Sequence, residues 1–280
     1  MFMDYTMLKE IVHLIATIFL AQVVVFGKNT YNISNLPVCG YETAVLVLAP
    51  GINAEGNFFL EEQCWTDFAK KNNLGMIALS YKSLVDETDS GQHEWYYYPN
   101  SGSGQALLDS ICKVYGKDLP IILYGFSGGA QFVSRFVDWC PDRIIAWCAY
   151  SAQFWDYPQD GRNVTKARGI VACGDQDGLR WQPSFSFYYK GRMKNRPWIW
   201  ISVPNTGHVR NPKLEEFVRS FFIEELKIWH NRINPQNDIL ADISTKDIIY
   251  DIRARNTNKA LKCQFRNFKL LEQWKEIQRP

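Results

Sequence analysis

Six short runs of the chain are apolar at nearly every successive position: Ala44–Ala49 (AVLVLA), 76–80, 121–124, Ile144–Tyr150, 169–173 and Trp198–Val203, with Ser80 and Ser202 the polar exceptions. A strand with one wet face alternates apolar and polar residues, whereas unbroken apolarity fits a strand covered on both faces. Between these runs the apolar spacing becomes helical. Residues 57–72 carry Leu60, Cys64 and Phe68 four apart, Ser103–Tyr115 is closed by Gly116, 129–139 stops before Pro141, and 184–194 follows. A longer helix is expected from Pro212 to about Trp229, with Leu214, Phe217, Val218, Phe221 and Phe222 on one face. Strand followed by helix, repeated in this way, predicts an α/β fold with a mostly parallel central sheet and helices on both faces.

At 280 residues, 46% hydrophobic and 15% aromatic, the chain suits one large domain with a sizeable core. Its 31 Lys and Arg against 29 Asp and Glu leave a net charge of +2 without a basic stripe, which argues against a nucleic-acid partner. Residues 11–26 (IVHLIATIFLAQVVVF) follow Lys9 and are mostly apolar. The run is short for a membrane span and fits the apolar part of an export signal, with Val25 and Gly27 at a cleavage position. On that reading residues 1–27 are a signal peptide or membrane anchor, and the protein is secreted or periplasmic, or associated with a membrane through this segment. Asp4 and Glu10 run against it, since signals usually begin basic; the alternative is a buried N-terminal strand or helix in a cytoplasmic protein. The main domain is expected over 28–230. Residues 231–280 read as an extension that packs back on it, with Leu271, Trp274 and Ile277 on one short amphipathic helix.

Seven cysteines with no C-x-x-C pair match neither a zinc pattern nor a dense disulfide framework, so no metal is expected. Cys148 and Cys173 lie inside apolar runs, as small core residues do.

The candidate chemistry starts at ILYGFSGGAQF, residues 121–131, where an apolar run gives way to helical spacing. A G-x-S-x-G match alone is weak; its position at a strand-to-helix junction is what matters. To present the Ser127 hydroxyl beyond the end of a strand, the chain must turn sharply, and bulky residues at 125 or 129 would collide across that turn. Gly128 N–H, at the start of the following helix, is then placed to stabilise a developing oxyanion.

A serine hydroxyl needs a base, most often histidine. His13 lies in the apolar N-terminal run, His230 at the far end of a helix, and His93 begins an H-E pair that no second histidine completes. His208, in VPNTGHVRNP, follows a strand and precedes the last long helix, at the same sheet edge as Ser127. The imidazole in turn needs an acceptor on its other nitrogen. VACGDQDG offers Asp175 and Asp177; Asp177 has more room to reach over the edge, while Asp175 suits a turn cap or a bond to backbone amides. The second oxyanion donor is expected from LVLAPGINAEGNF, at the Ile52 N–H with Asn53 N–H behind it.

With these residues the chain resembles the α/β-hydrolase superfamily over about 45–222. YGFSGGAQFVSRF, CGDQDG and the TGH segment are similar to compact esterases related to polyhydroxybutyrate depolymerases and dienelactone hydrolases. The resemblance implies an α/β-hydrolase fold, Ser127 as nucleophile, Asp177 as acid, His208 as general base, and an oxyanion hole of the Gly128 and Ile52 amides. It implies no metal and no organic cofactor. Pro50-Gly51 stands where many relatives carry His-Gly, a departure that bears on Ile52.

Only AQFWDYPQDGRNVTKA connects two strands after Ser151, so no large lid is expected. Trp95, Trp155 and Trp181 crowd the expected mouth, as a platform for a small-molecule or polymeric ester or as packing beneath loops. The leading reading is a serine hydrolase of carboxylic esters. A peptidase or acyltransferase with the same triad, or a non-catalytic binding protein on the same fold, are the alternatives.

Overall fold

In the computed structural model, the described residues are 22–26, 29–84, 94–160, 164–231, 238–250 and 257–279. They form one eight-stranded sheet and six α-helices. In chain order the strands are β1 (Gln22–Phe26), β2 (Asn29–Asn35), β3 (Ala44–Ala49), β4 (Leu74–Ser83), β5 (Ile121–Phe126), β6 (Ile144–Tyr150), β7 (Arg168–Gly174) and β8 (Trp198–Val203). Their spatial order is β1-β2-β4-β3-β5-β6-β7-β8; β1 with β2 and β2 with β4 run antiparallel, and every other pair is parallel. The order reverses at β3: the chain steps to β4 on one side and later to β5 on the other. A reversal of this kind opens a crevice beyond the strand carboxyl ends, where ligands bind in open α/β sheets.

The unbroken apolar runs are the strands buried on both faces: every residue of β3 and of β7 is buried. Tyr124 of β5 faces α1 (Gln63–Lys71) and α5 (Pro212–Asn231), meeting the Trp65 ring at 5.2 Å and donating to Glu215 Oε1 at 2.8 Å. The opposite face carries Tyr81 and Trp147. Tyr81 packs edge-on to Phe132 of α3 (Gly128–Trp139), and Trp147 edge-on to Trp198, which stacks on Phe187 of α4 (Trp181–Met193). The hydroxyl of Tyr81 bonds the carbonyl of Ser103, the first residue of α2 (Ser103–Tyr115).

Several boundaries differ from the sequence expectations. The helix expected over 57–72 is a 3-10 turn at Asn57–Leu60 and then α1, because Glu62 is extended between them and accepts both terminal nitrogens of Arg210 at 2.7 Å. α4 begins ahead of Ser184: Pro183 lies in its first turn, where no intrahelical N–H is needed. β2 was not expected. Its sequence NTYNISN is polar, but Tyr31 and Ile33 point inward beside a buried Asn29 whose amide bonds Tyr31 Oη. The sheet also begins ahead of residue 28. The last five residues of the run at 11–26 form β1, and the rest of that run lies outside the described residues, as does His93. Among the described residues no helix is long and apolar enough to cross a membrane.

After α5 the chain adds a two-stranded antiparallel sheet, β9 (Ile239–Asp242) with β10 (Lys262–Phe265), and a helix, α6 (Phe268–Ile277). These elements share the main core. Trp274 is fully buried and donates its indole N–H to the Trp200 carbonyl of β8 at 2.8 Å, while Gln273 bonds Ser220 of α5. Arg168 of β7 pairs with Asp238, and Arg266 with Glu225 of α5, so buried charges tie the extension to the sheet.

Removing a buried indole costs about 3–5 kcal/mol through lost packing and the cavity it leaves. Trp274→Ala is therefore expected to lower the unfolding free energy by about that amount in urea titration, with the main transition itself moving rather than a separate early one appearing.

Candidate active site

Ser127 occupies the turn between β5 and α3 with φ 54° and ψ −118°, a left-handed backbone that costs a non-glycine residue about 1–3 kcal/mol. Its amide donates to Tyr150 O at 2.8 Å and its carbonyl receives Gln131 N–H at 3.1 Å, so strand and helix clamp the turn from both sides. The neighbours are glycines for lack of space. A Cβ on Gly125 would lie 2.4 Å from Gly129 O, and one on Gly129 would lie 2.2 Å from Ala49 O. The Gly129 amide, so admitted, bonds Pro50 O at 2.8 Å and locks the elbow onto the loop after β3.

Beyond the strand ends, three distant side chains meet. Ser127 Oγ lies 2.9 Å from His208 Nε2, and His208 Nδ1 lies 2.8 Å from Asp177 Oδ2. The imidazole stacks on Phe126, ring centroids 4.9 Å apart, which fixes its plane. Asp177 is buried, and its other oxygen accepts Arg180 Nη1 at 3.1 Å. Cys173 Sγ is 4.0 Å from Asp177 Oδ2; burial pushes that thiol up to about 11, so it stays protonated beside the carboxylate. Asp175, the other carboxylate of the loop, is exposed and accepts the backbone N–H of Thr206 at 3.3 Å. His230 lies elsewhere, against Thr43 and Trp229.

Among the described residues, neither the Gly128 nor the Ile52 N–H meets a protein acceptor. The two backbones are in contact: a Cβ on Gly128 would lie 2.7 Å from Ile52 Cα and 2.6 Å from Tyr96 Oη. The loop that carries Ile52 is braced behind. Asn53, left-handed at φ 54°, accepts Ser83 N–H on Oδ1 at 2.8 Å and donates Nδ2–H to Ser83 O at 3.2 Å. Ser83 Oγ accepts Tyr96 N–H at 2.8 Å. Burial pushes the Tyr96 phenol upward, so it keeps its proton.

The cavity at Ser127 measures about 170 Å3. Trp95 lines it, stacked on Tyr97. The other two expected tryptophans do not. Trp181 is spent on packing, stacked on Phe185, edge-on to Trp200 and bonded to Ser202 Oγ at 2.8 Å. Trp155 stacks on Phe187 at 4.3 Å and borders the adjoining depression. In their place are polar groups that sequence reasoning missed: Gln131, Gln153 and Arg180. Gln131 is one helical turn past Ser127, and Arg180 is three residues past Asp177, spacings that bring each to the site. Gln153 carries no such signal.

The elbow glycines give a stability test. Gly129→Ala drives a methyl into backbone carbonyls that cannot move aside and is expected to cost at least about 3 kcal/mol, above ordinary overpacking. Gly178→Ala, with open space at its Cβ, is expected within about 0.5 kcal/mol of the parent. Thermal melts of the two variants side by side read the difference.

By sequence, no family model and no curated protein matches the chain. Solved structures do. A fluorophosphonate-binding serine hydrolase of Staphylococcus aureus aligns at TM-score 0.52 and 12% identity, over 74% of this chain and 98% of that one. A carboxylesterase of Bacillus cereus aligns at TM-score 0.53 and 14% identity, over 71% and 95%. Est1E of Butyrivibrio proteoclasticus, solved with ferulic acid bound, aligns at TM-score 0.51 and 14% identity, over 74% and 100%. Identities this low speak to architecture alone. Together with the strand order and the reversal at β3, they establish that this chain has the α/β-hydrolase fold.

Proposed function

We propose that the protein is a serine hydrolase that cleaves carboxylic esters through an acyl-enzyme. The observation that carries this reading is the unbroken line of hydrogen bonds from Ser127 Oγ through His208 to Asp177. Asp177 accepts the Nδ1–H of the neutral imidazole, which leaves the Nε2 lone pair facing the serine O–H. His208 takes that proton as Ser127 Oγ attacks the ester carbonyl. The oxyanion that forms is held by the open amides of Gly128 and Ile52, aided by the N-terminal end of α3. His208 then returns the proton to the departing alkoxide, and water, deprotonated by the same imidazole, releases the acid and restores the serine. Every step uses groups of this chain. The carboxylesterase among the structural neighbours supports an ester as substrate.

Purified protein is expected to hydrolyse p-nitrophenyl acetate and to be labelled by a fluorophosphonate, both lost in Ser127→Ala. Labelling of the Ala variant at parental level removes Ser127 from the reaction. One oxyanion donor contributes about 10²–10³ in rate. Asn53→Ala, which frees the Ile52 loop from Ser83, is expected to lower kcat by roughly tenfold to a hundredfold with KM little changed. Equal loss in both parameters points instead to general loosening of the site.

A further inference from the structure

Past the cavity at Ser127 the surface continues as a trough. A second depression of about 470 Å3 shares Gln153 and Phe154 with that cavity, and a third of about 320 Å3 shares Arg135, Asp156 and Tyr157 with the second. One wall is the run 153–159, and it is pinned almost residue by residue. Phe154 N–H donates to Gln131 Oε1 at 2.9 Å, the Trp155 indole N–H to Ala152 O at 3.1 Å, and the Gln159 carbonyl accepts Arg196 Nη2 at 3.2 Å. Asp156 accepts Arg135 Nε and Nη2 at 3.1 and 2.7 Å. A wall so fixed has its ordering cost already met before a ligand arrives. It nevertheless leaves two rings in solvent: Phe154 is 52% exposed and Tyr157 58% exposed, the latter beneath the ammonium groups of Lys190 and Lys194.

We propose that this trough binds the alcohol portion of the ester, and that this portion is a hydroxylated ring of the sugar or cyclic-polyol type; the proposal rests on the ester-hydrolase reading. The acyl group stays on Ser127 while the alcohol leaves, so the alcohol needs the route to solvent. The small cavity ends at the buried rings of Trp95 and Tyr97 and holds the acyl group; the trough is the way out. Asp156 is the polar recognition group. Each of its oxygens is held by one Arg135 N–H and keeps lone pairs for a hydroxyl donor. Arg135 also balances its charge, so the pair selects neutral hydroxyls over ions. Phe154 and Tyr157 offer ring faces to the C–H face of a saturated ring.

The test compares methyl glucoside monoacetate with cyclohexyl acetate, the same ring size without hydroxyls. The parent is expected to prefer the glucoside ester at least tenfold in kcat/KM. Tyr157→Ala, at an exposed position, is expected to lower that preference at least tenfold, chiefly through KM. Asp156→Asn is expected to do the same, but it weakens the partner of the buried Arg135 and is scored only alongside an unchanged melting temperature. Absence of the preference in the parent, or equal loss on both esters in Tyr157→Ala, overturns the trough assignment. A calorimetric titration of Ser127→Ala with the glucoside ester separates the two readings. Binding there that weakens when Tyr157→Ala is added upholds the trough even if no ester is turned over, whereas turnover of cyclohexyl acetate without preference for the glucoside ester upholds the hydrolase and overturns the trough.

Discussion

The structure depends on one close approach: the turn after β5 lies against the loop after β3 with no room for a side chain between them. Gly125 and Gly129 make that contact possible, and the Gly129–Pro50 hydrogen bond fixes it. Because β3 is where the strand order reverses, the contact falls at the crevice of the sheet. The strain at Ser127 is held by tight packing of backbone on backbone, which side-chain substitutions elsewhere do not relax. From this contact follow both the outward aim of the hydroxyl and the juxtaposition of the Gly128 and Ile52 amides.

The rest of the site is arranged so that each polar group is fixed by a second one. A buried carboxylate such as Asp177 is costly unless bonded, and His208, Arg180 and Cys173 surround it. The Ile52 loop is short and exposed, yet hydrogen bonds link Asn53 to Ser83 and Ser83 to Tyr96 behind it. Those bonds join the ends of β3 and β4 to the aromatic segment before α2.

What could be read from the sequence follows from the strength of the local signals. β3 and β6 are apolar end to end and β8 is broken only by Ser202; all three have the boundaries that pattern predicts, and Ser103–Tyr115 ends at its glycine. β2 and β9 escaped because short, polar or half-exposed strands owe their place to partners distant in the chain. Ser127, His208 and Asp177 stand out because each must follow a buried strand and be flanked by small or turn-forming residues. Trp181 does not reach the cavity at Ser127, because an aromatic ring in a loop has the same sequence signature whether it lines a cavity or packs, as here, on Trp200. Gln153 was illegible for the converse reason: its role comes from where the chain folds over the sheet edge, and it falls in no pattern that spacing reveals.

Catalysis at this site requires that the Ser127 hydroxyl and the two open amides act on one reacting centre. A crystal structure of the protein after reaction with a small alkyl fluorophosphonate tests this most directly. The prediction is a phosphorus atom bonded to Ser127 Oγ with one of its oxygens about 3 Å from both the Gly128 and Ile52 nitrogens. An adduct on another residue, or a phosphonyl oxygen turned to solvent with both amides unengaged, would contradict it.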